Sequence, residues 1–381
     1  MTEITPEYLE WRNKNMALFW GALEPQMYAA WQELCEECSE PEPEPPESDY
    51  DGGRIQVVWA TGTDPDAIIN KLLALTARAS SIYAVVITAD VVHRSTGGLL
   101  SLIRTLRANG VKVFAYVRAP VHMRVNTPFT LENVSEAVPF EHAVGELVAQ
   151  HSAYALDAAG NPIFHSSGYD VYLNPLRIAE EHAALVMEHA WDPEFYDGVL
   201  ADGLVTNQPY AWAASFTVTE QREALLYWAG EVDAPIVGNG AWEPYVEVSP
   251  WASIAPLRGA MDEDMTHPHY DMNNPSIQLP PLSERWAYHM EQAQAWQGKE
   301  YWIGDNLRLF SLPEDQRRRF LITSALMVDA KVVMEDHPWL RLNLGEADSA
   351  AIQYEDKHWS RDFEGGIVRC FPDRMTGEIS Y

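Results

Sequence analysis

"YDGVLADGL", Tyr196 to Leu204, decides the fold. Its centre is a short apolar run, opened by Gly198 and closed by Asp202, with no polar residue alternating into it. A run of that kind is a strand covered on both faces, as in a parallel sheet flanked by helices. "LRGAMDEDM", Leu257 to Met265, repeats the design. In both stretches a glycine opens the strand and an acid follows four residues later, Gly198 to Asp202 and Gly259 to Glu263.

Six further apolar runs flank these two. They are IQVVWA (Ile55 to Ala60), IYAVVITA (Ile82 to Ala89), VKVFAYV (Val111 to Val117), PIVGN (Pro235 to Asn239), EYWIGD (Glu300 to Asp305) and AKVVMED (Ala330 to Asp336). Most of the segments between them read as helices. Asp64-Pro65 and Asn174-Pro175 pair a capping side chain with a proline in the first turn. Gly110, Gly230 and Gly298 stand where helices end. Trp286, Met290, Ala293 and Trp296 form an apolar helical stripe. Eight strands alternating with helices over about 280 residues predict an α/β fold, a (β/α)8 TIM barrel. An open doubly wound sheet is the runner-up, but no G-x-G-x-x-G follows the first strand. The third connection is overlong. It runs from Arg118 to Asn174 with a hairpin expected at Tyr154 to Phe164, and long excursions of this kind build substrate clefts.

The barrel is expected to span residues 54–336, followed by a short C-terminal β-rich extension, 337–381, that pairs as strands against it. Ahead of it, residues 1–38 read as an N-terminal helical segment carrying Trp11, Phe19, Trp20 and Trp31. Residues 39–53 read as a stiff linker in which proline alternates with glutamate. The helical segment must bury its apolar stripe against a second copy, another protein or the outer helices of the barrel. Docking on a partner predicts a homo-oligomer or a larger assembly.

The chain has 381 residues and a net charge of −30. That charge repels phosphate backbones and anionic lipid, so neither nucleic acid nor membrane is an expected partner. No stretch is apolar enough to span a bilayer, and the N-terminus lacks the basic and apolar regions of a signal peptide. A location outside the cell would require lysis, a dedicated route or carriage on a particle. Cys35 and Cys38 have C-x-x-C spacing but share a helical stripe with Tyr28 and Trp31, so they read as small core residues. "HPHYD", His267 to Asp271, offers His267, His269 and Asp271 to a metal, but its proline and loop setting favour a cleft-lining role. No metal and no cofactor is expected.

A buried parallel strand has no structural need for a terminal carboxylate. Asp202 and Glu263 end strands four and six, on the barrel face that carries chemistry. Two carboxyl groups facing one cleft fit glycosidic bond cleavage, in which one donates a proton and the other attacks or activates water. Separations of about 5 Å or of roughly 6.5 to 9.5 Å would distinguish retention from inversion. Asp262 and Asp264 read as flanking residues, either solvated or supporting a neighbour. Asp90, Asp305, Glu335 and Asp336 also end strands and could bind sugar hydroxyls. Trp59, Tyr116, Trp242 and Trp302 lie at or near strand ends, where an aromatic face could stack on a sugar.

The ordered set YDGVLADG (196–203), IVGNG (236–240), GAMDEDM (259–265), RFLITSALMVDAKVVM (319–334), LNLGEA (342–347) and WSRDFEGGIVRCFP (359–372) resembles the hypothetical TIM-barrel glycoside hydrolases of the glycosyl hydrolase family fifteen group. The resemblance runs from about Arg54 to the C-terminus and omits the N-terminal helices, the linker and the triple acid. It implies a (β/α)8 fold and action on a polysaccharide. It also implies Asp202 and Glu263 as the carboxylates, with Asn239 near the substrate. The acids on strands four and six also resemble some retaining α-glycosidases, in which the strand-four acid is the nucleophile. Three readings follow: a glycoside hydrolase with Asp202 as nucleophile and Glu263 as acid/base, a carbohydrate-binding barrel without turnover, and a structural or adhesion component of an assembly such as a phage particle.

Overall fold

The computed structural model describes residues 54–62, 64–89, 98–131, 139–165, 168–204, 213–240, 257–262, 282–296, 299–304, 312–342 and 344–381. The helices and linker expected over residues 1–53 lie outside the described residues.

Eight parallel strands close into a barrel. In chain order they are β1 (Gln56–Ala60), β2 (Ile82–Thr88), β3 (Lys112–Arg118), β6 (Gly198–Asp202), β7 (Ile236–Asn239), β8 (Leu257–Asp262), β9 (Glu300–Gly304) and β10 (Lys331–Val333). β4 (His122–Arg124) and β5 (Asp170–Tyr172) form a separate antiparallel pair within the long excursion after β3. Closure comes from β1 pairing with β10 on one side and β2 on the other. The doubly wound alternative is thereby excluded.

Side chains alternate across each strand, giving two apolar layers. Val57, Val86, Phe114, Leu200, Met261 and Trp302 fill the barrel interior. Their neighbours in sequence, such as Val58, Val85, Val113 and Ala260, face the surrounding helices. Those helices include α1 (Pro65–Thr76), α2 (Gly98–Ala108), α3 (Pro139–His151), α4 (Ala179–Leu185), α5 (Val218–Glu231), α6 (Leu282–Ala295) and α7 (Glu314–Met327). Asp64 caps α1 by accepting from the Asp66 amide at 3.0 Å. Asn174 does the same for Leu176, at the head of a single 3₁₀ turn that precedes α4.

The long excursion is more ordered than the sequence indicated. It contains α3, whose Phe140, Val144 and Val148 recur at helical spacing and are buried. Beyond α3, isolated bridges join Leu156 to Pro162 and Phe164 to Val171. The intervening turn is held by Asp157, which accepts from the amides of Ala159 and Asn161.

The C-terminal extension is β-rich, as expected, but its strands pair with one another. It does not join the barrel ladder. β11 (Ile352–Gln353), β12 (Trp359–Phe363), β13 (Gly366–Phe371) and β14 (Thr376–Ser380) form their own antiparallel sheet, which lies on the helix layer. The barrel has no edge to offer, because closure has already paired every strand. Contact with α7 is close: a Cβ on Gly377 would meet the Thr323 hydroxyl at 2.0 Å. Arg361 clamps the Asp329 carboxylate with two hydrogen bonds of 2.9 Å, just beyond the end of α7. Trp359 packs on Trp286 of α6, with ring centroids 5.2 Å apart.

Candidate functional site

The C-terminal mouth of the barrel gathers polar groups around Asp202. β6 sends Leu200 inward and Ala201 toward the helices, so Asp202 takes the inward parity at the strand's end. Its side chain is 25% exposed, so it is reachable from solvent without being free in it. Tyr116 of β3 donates its hydroxyl to Asp202 Oδ2 at 2.5 Å. Asn239 of β7 donates its amide to Oδ1 at 2.8 Å. Each carboxylate oxygen therefore has a fixed donor from a neighbouring strand, which suits an anionic oxygen. Burial, reinforced by the Asp202 charge, pushes the Tyr116 phenol well above its ordinary range, so it stays protonated and able to donate. Trp59 of β1 meets Tyr116 edge-on, with ring centroids 5.6 Å apart.

The excursion after β3 supplies the rest of the described wall. His122 Nε2 lies 4.0 Å from Asp202 Oδ2. Burial holds this imidazole below its usual range, against the pull of Asp202. Arg118, the register partner of Asp202, pairs with Glu141 of α3 at 2.8 Å and stands 3.9 Å from Asp170 of β5. Burial opposes its charge, but Glu141, Tyr116 and Asp170 outweigh that cost and raise its pKa. Gly203 makes this packing possible. Its φ is +80°, and an added Cβ would lie 2.5 Å from the His122 ring. The "ADG" ending of the strand is thus a steric requirement of the site.

Among the residues named from sequence, the structure brings Asp202, Tyr116, Asn239 and Trp59 together. Trp302 is not at the mouth. It is fully buried at mid-barrel, edge-on to Phe114, with its indole N–H donating to Glu300 at 3.1 Å. It has no exposed face for a sugar. Glu335 and Asp336 also leave the site. β10 ends at Val333, and the chain then turns outward, where Glu335 pairs with Lys71 of α1 at 2.7 Å. Asp336 pairs with Arg78 at 2.5 Å and also with Arg341. Asp262 is not solvated. It has no exposed surface and faces the helix layer, where its Oδ2 lies 2.6 Å from His289 Nδ1 and accepts from the Tyr301 hydroxyl at 2.9 Å. Glu263, Asp264, Asp90, Asp305, Trp242, His267, His269 and Asp271 lie outside the described residues. So do Cys35 and Cys38.

His122, Arg118, Glu141 and Asp170 are the wall residues that sequence reading missed. Arg118 carried a usable signal, since it ends a barrel strand as Asp202 does. Among the described residues, no group of three or more His, Cys, Asp or Glu side chains is placed to hold a metal ion. Likewise, no helix there is long and apolar enough to cross a membrane.

No family model and no curated protein sequence matches the chain. Its fold is similar to several solved glycoside hydrolase structures. The glycoside hydrolase domain of PelA from Pseudomonas aeruginosa is 15% identical, with 76% of this chain and 97% of that one covered, at a TM-score of 0.43. The maltogenic α-amylase AmyB from Thermotoga neapolitana is 11% identical, with 84% and 85% covered, at a TM-score of 0.47. The α-galactosidase TtGalA from Thermus thermophilus is 15% identical, and the chain spans 63% of its length, at a TM-score of 0.43. The narrower family resemblance read from the motifs rests on those motifs.

Proposed function

We propose that the chain is a glycoside hydrolase acting on a polysaccharide, with Asp202 as nucleophile and Glu263 as acid/base. The observation that carries this reading is the setting of Asp202. It is an inward carboxylate at the catalytic face of the barrel, part-exposed, with both oxygens held by donors from flanking strands. A purely structural carboxylate would more simply be paired with a cation. Arg118, the register partner of Asp202 on β3, is instead paired with Glu141. Sequence position supports the second acid. Glu263 follows Asp262 at the end of β8 and repeats the glycine-to-acid offset of Gly198 and Asp202.

In this reading an Asp202 oxygen attacks the anomeric carbon as the glycosidic C–O bond breaks. Glu263 delivers its proton to the departing oxygen. A water then displaces Asp202 from the sugar and passes its proton to Glu263, restoring both groups. Tyr116 and Asn239 hold the attacking carboxylate in one orientation throughout, which limits the reorganisation needed at the transition state. Trp59 offers an aromatic face beside the sugar ring.

Asp202→Asn and Glu263→Gln test the assignment on a panel of polysaccharides, with reducing ends measured. Each should lower turnover by about three or more orders of magnitude while the protein stays folded. Near-native turnover in either variant removes that residue from the mechanism. Glycan binding without turnover in the unmodified protein would instead favour a carbohydrate-binding barrel.

A further inference from the structure

The opposite, N-terminal mouth of the barrel carries a surplus of positive charge. Among the described residues, Lys112 of β3, Arg258 of β8 and Lys331 of β10 meet there around a single carboxylate, Glu300 of β9. Glu300 Oε1 takes Lys112 at 3.0 Å and Arg258 at 2.5 Å, and its Oε2 accepts from Trp302 at 3.1 Å. Glu300 is therefore fully used. Lys331 makes no ion pair among the described residues. Its ammonium and that of Lys112 each lie 4.5 Å from the Tyr83 ring centroid. Asp329, two residues before Lys331, is clamped by Arg361. Burial pushes the Lys331 ammonium below its ordinary range against the pull of Glu300 and Asp329, and Lys112 adds repulsion. Lys112 and Arg258 remain about one-third open, at 32% and 33% side-chain exposure.

A plug that only closed the barrel would balance its charges, because surplus charge that is partly desolvated costs free energy. In a chain of net charge −30, a basic mouth points to an anion. The sequence supplies one beside it. β1 starts at this mouth, and the amide of Val332, next to Lys331, donates to Ile55 O at 2.7 Å. The chain leading into β1, residues 39–53, contains Glu40, Glu42, Glu44, Glu47, Asp49 and Asp51 and no basic residue. At about 3.3–3.6 Å per residue, Asp51 reaches roughly 10 Å and Glu47 roughly 25 Å from Arg54. That range covers the end of a barrel whose interior just accommodates side chains.

We propose that the acidic segment Ser39–Gly53 docks in cis across the basal mouth, its carboxylates answering Lys331, Lys112 and Arg258. The docked segment anchors whatever precedes it to the barrel face opposite Asp202, leaving the catalytic mouth clear.

Zero-length carbodiimide cross-linking of the full chain, read by mass spectrometry, tests this. The Lys112–Glu300 pair serves as the internal control. The expected product is an amide between Lys331 or Lys112 and an acid of residues 39–53, formed within one molecule when light and heavy-isotope protein are mixed. A control cross-link without any to residues 39–53 overturns the proposal, as does a product that is only intermolecular. Inorganic phosphate gives a second readout. It should raise the Tm of the Glu47→Gln, Asp49→Asn, Asp51→Asn variant and leave that of the unmodified chain unchanged. Equal stabilisation of both would show the mouth open to free anions and overturn docking.

Discussion

Tyr116 on strand β3 donates its hydroxyl to Asp202 on strand β6 at 2.5 Å, joining two adjacent barrel strands at their C-terminal ends. Its phenol is held neutral by burial and by the carboxylate itself. With Asn239 on the other oxygen, the pair fixes where Asp202 can point. Tyr116→Phe keeps the ring and its packing on Trp59 but removes that donor. A hydrogen bond to a charged group is worth about 1.5–3 kcal/mol, so kcat on the cleaved polysaccharide should fall by roughly 10- to 150-fold. KM should change far less, because Tyr116 acts through Asp202. A variant with unchanged kcat would show that the hydroxyl has no part in positioning the carboxylate.

The barrel was legible because buried parallel strands announce themselves as uninterrupted apolar runs, and all eight fall where those runs are. What the runs conceal is facing. Asp262 and Glu263 are adjacent acids, yet Asp262 turns to His289 and Tyr301 in the helix layer. Trp302 and Trp59 are both strand tryptophans, but Trp302 sits at mid-strand inside the core and Trp59 at the mouth. Glu335 follows an apolar run as Asp202 does, but its ladder ends two residues earlier and the side chain leaves for α1. Such differences depend on register and strand length, which a register shift like the one at Ile236/Val237 also alters. His122 was hidden for another reason. It lies on a three-residue strand, too short to stand out although Val121, Met123 and Val125 alternate around it, and the pairing of β4 with β5 holds it near Asp202.

Asp262 should matter to stability. Its carboxylate has no exposed surface and bridges α6 to β9 through His289 and Tyr301. Burial, with Asp262 adding to it, raises the Tyr301 phenol well above its ordinary range, so it donates as a neutral group. Asp262→Ala leaves both partners buried without their acceptor. Breaking a buried pair from one side costs about 3–5 kcal/mol. Denaturant unfolding should show a loss of that size in midpoint stability, with little change in the m-value. A loss below about 1 kcal/mol would mean that water or another group takes over the acceptor role.

A buried histidine should make the fold acid-sensitive. His182 of α4 is 1% exposed, packs edge-on to Phe140 of α3, and accepts from the Trp228 indole of α5 through Nδ1 at 3.1 Å. Protonation would remove that acceptor and place a charge among apolar rings. Burial accordingly lowers its pKa from 6.5 to about 3. The unfolded chain therefore binds a proton that the folded chain refuses between those values. The contribution of His182 is fully present above pH 6.5 and is lost as pH falls toward 3. Within that window the loss approaches about 1.4 kcal/mol per pH unit. His182→Gln keeps a hydrogen-bonding side chain that cannot titrate. Unfolding free energies of both proteins at pH 7, 6 and 5 isolate the effect, since every other titrating group is shared. The variant should be the less stable at pH 7, and the difference should narrow on acidification. Parallel pH curves for the two proteins would show that His182 can take up a proton in the folded state, by a local opening between α4 and α5.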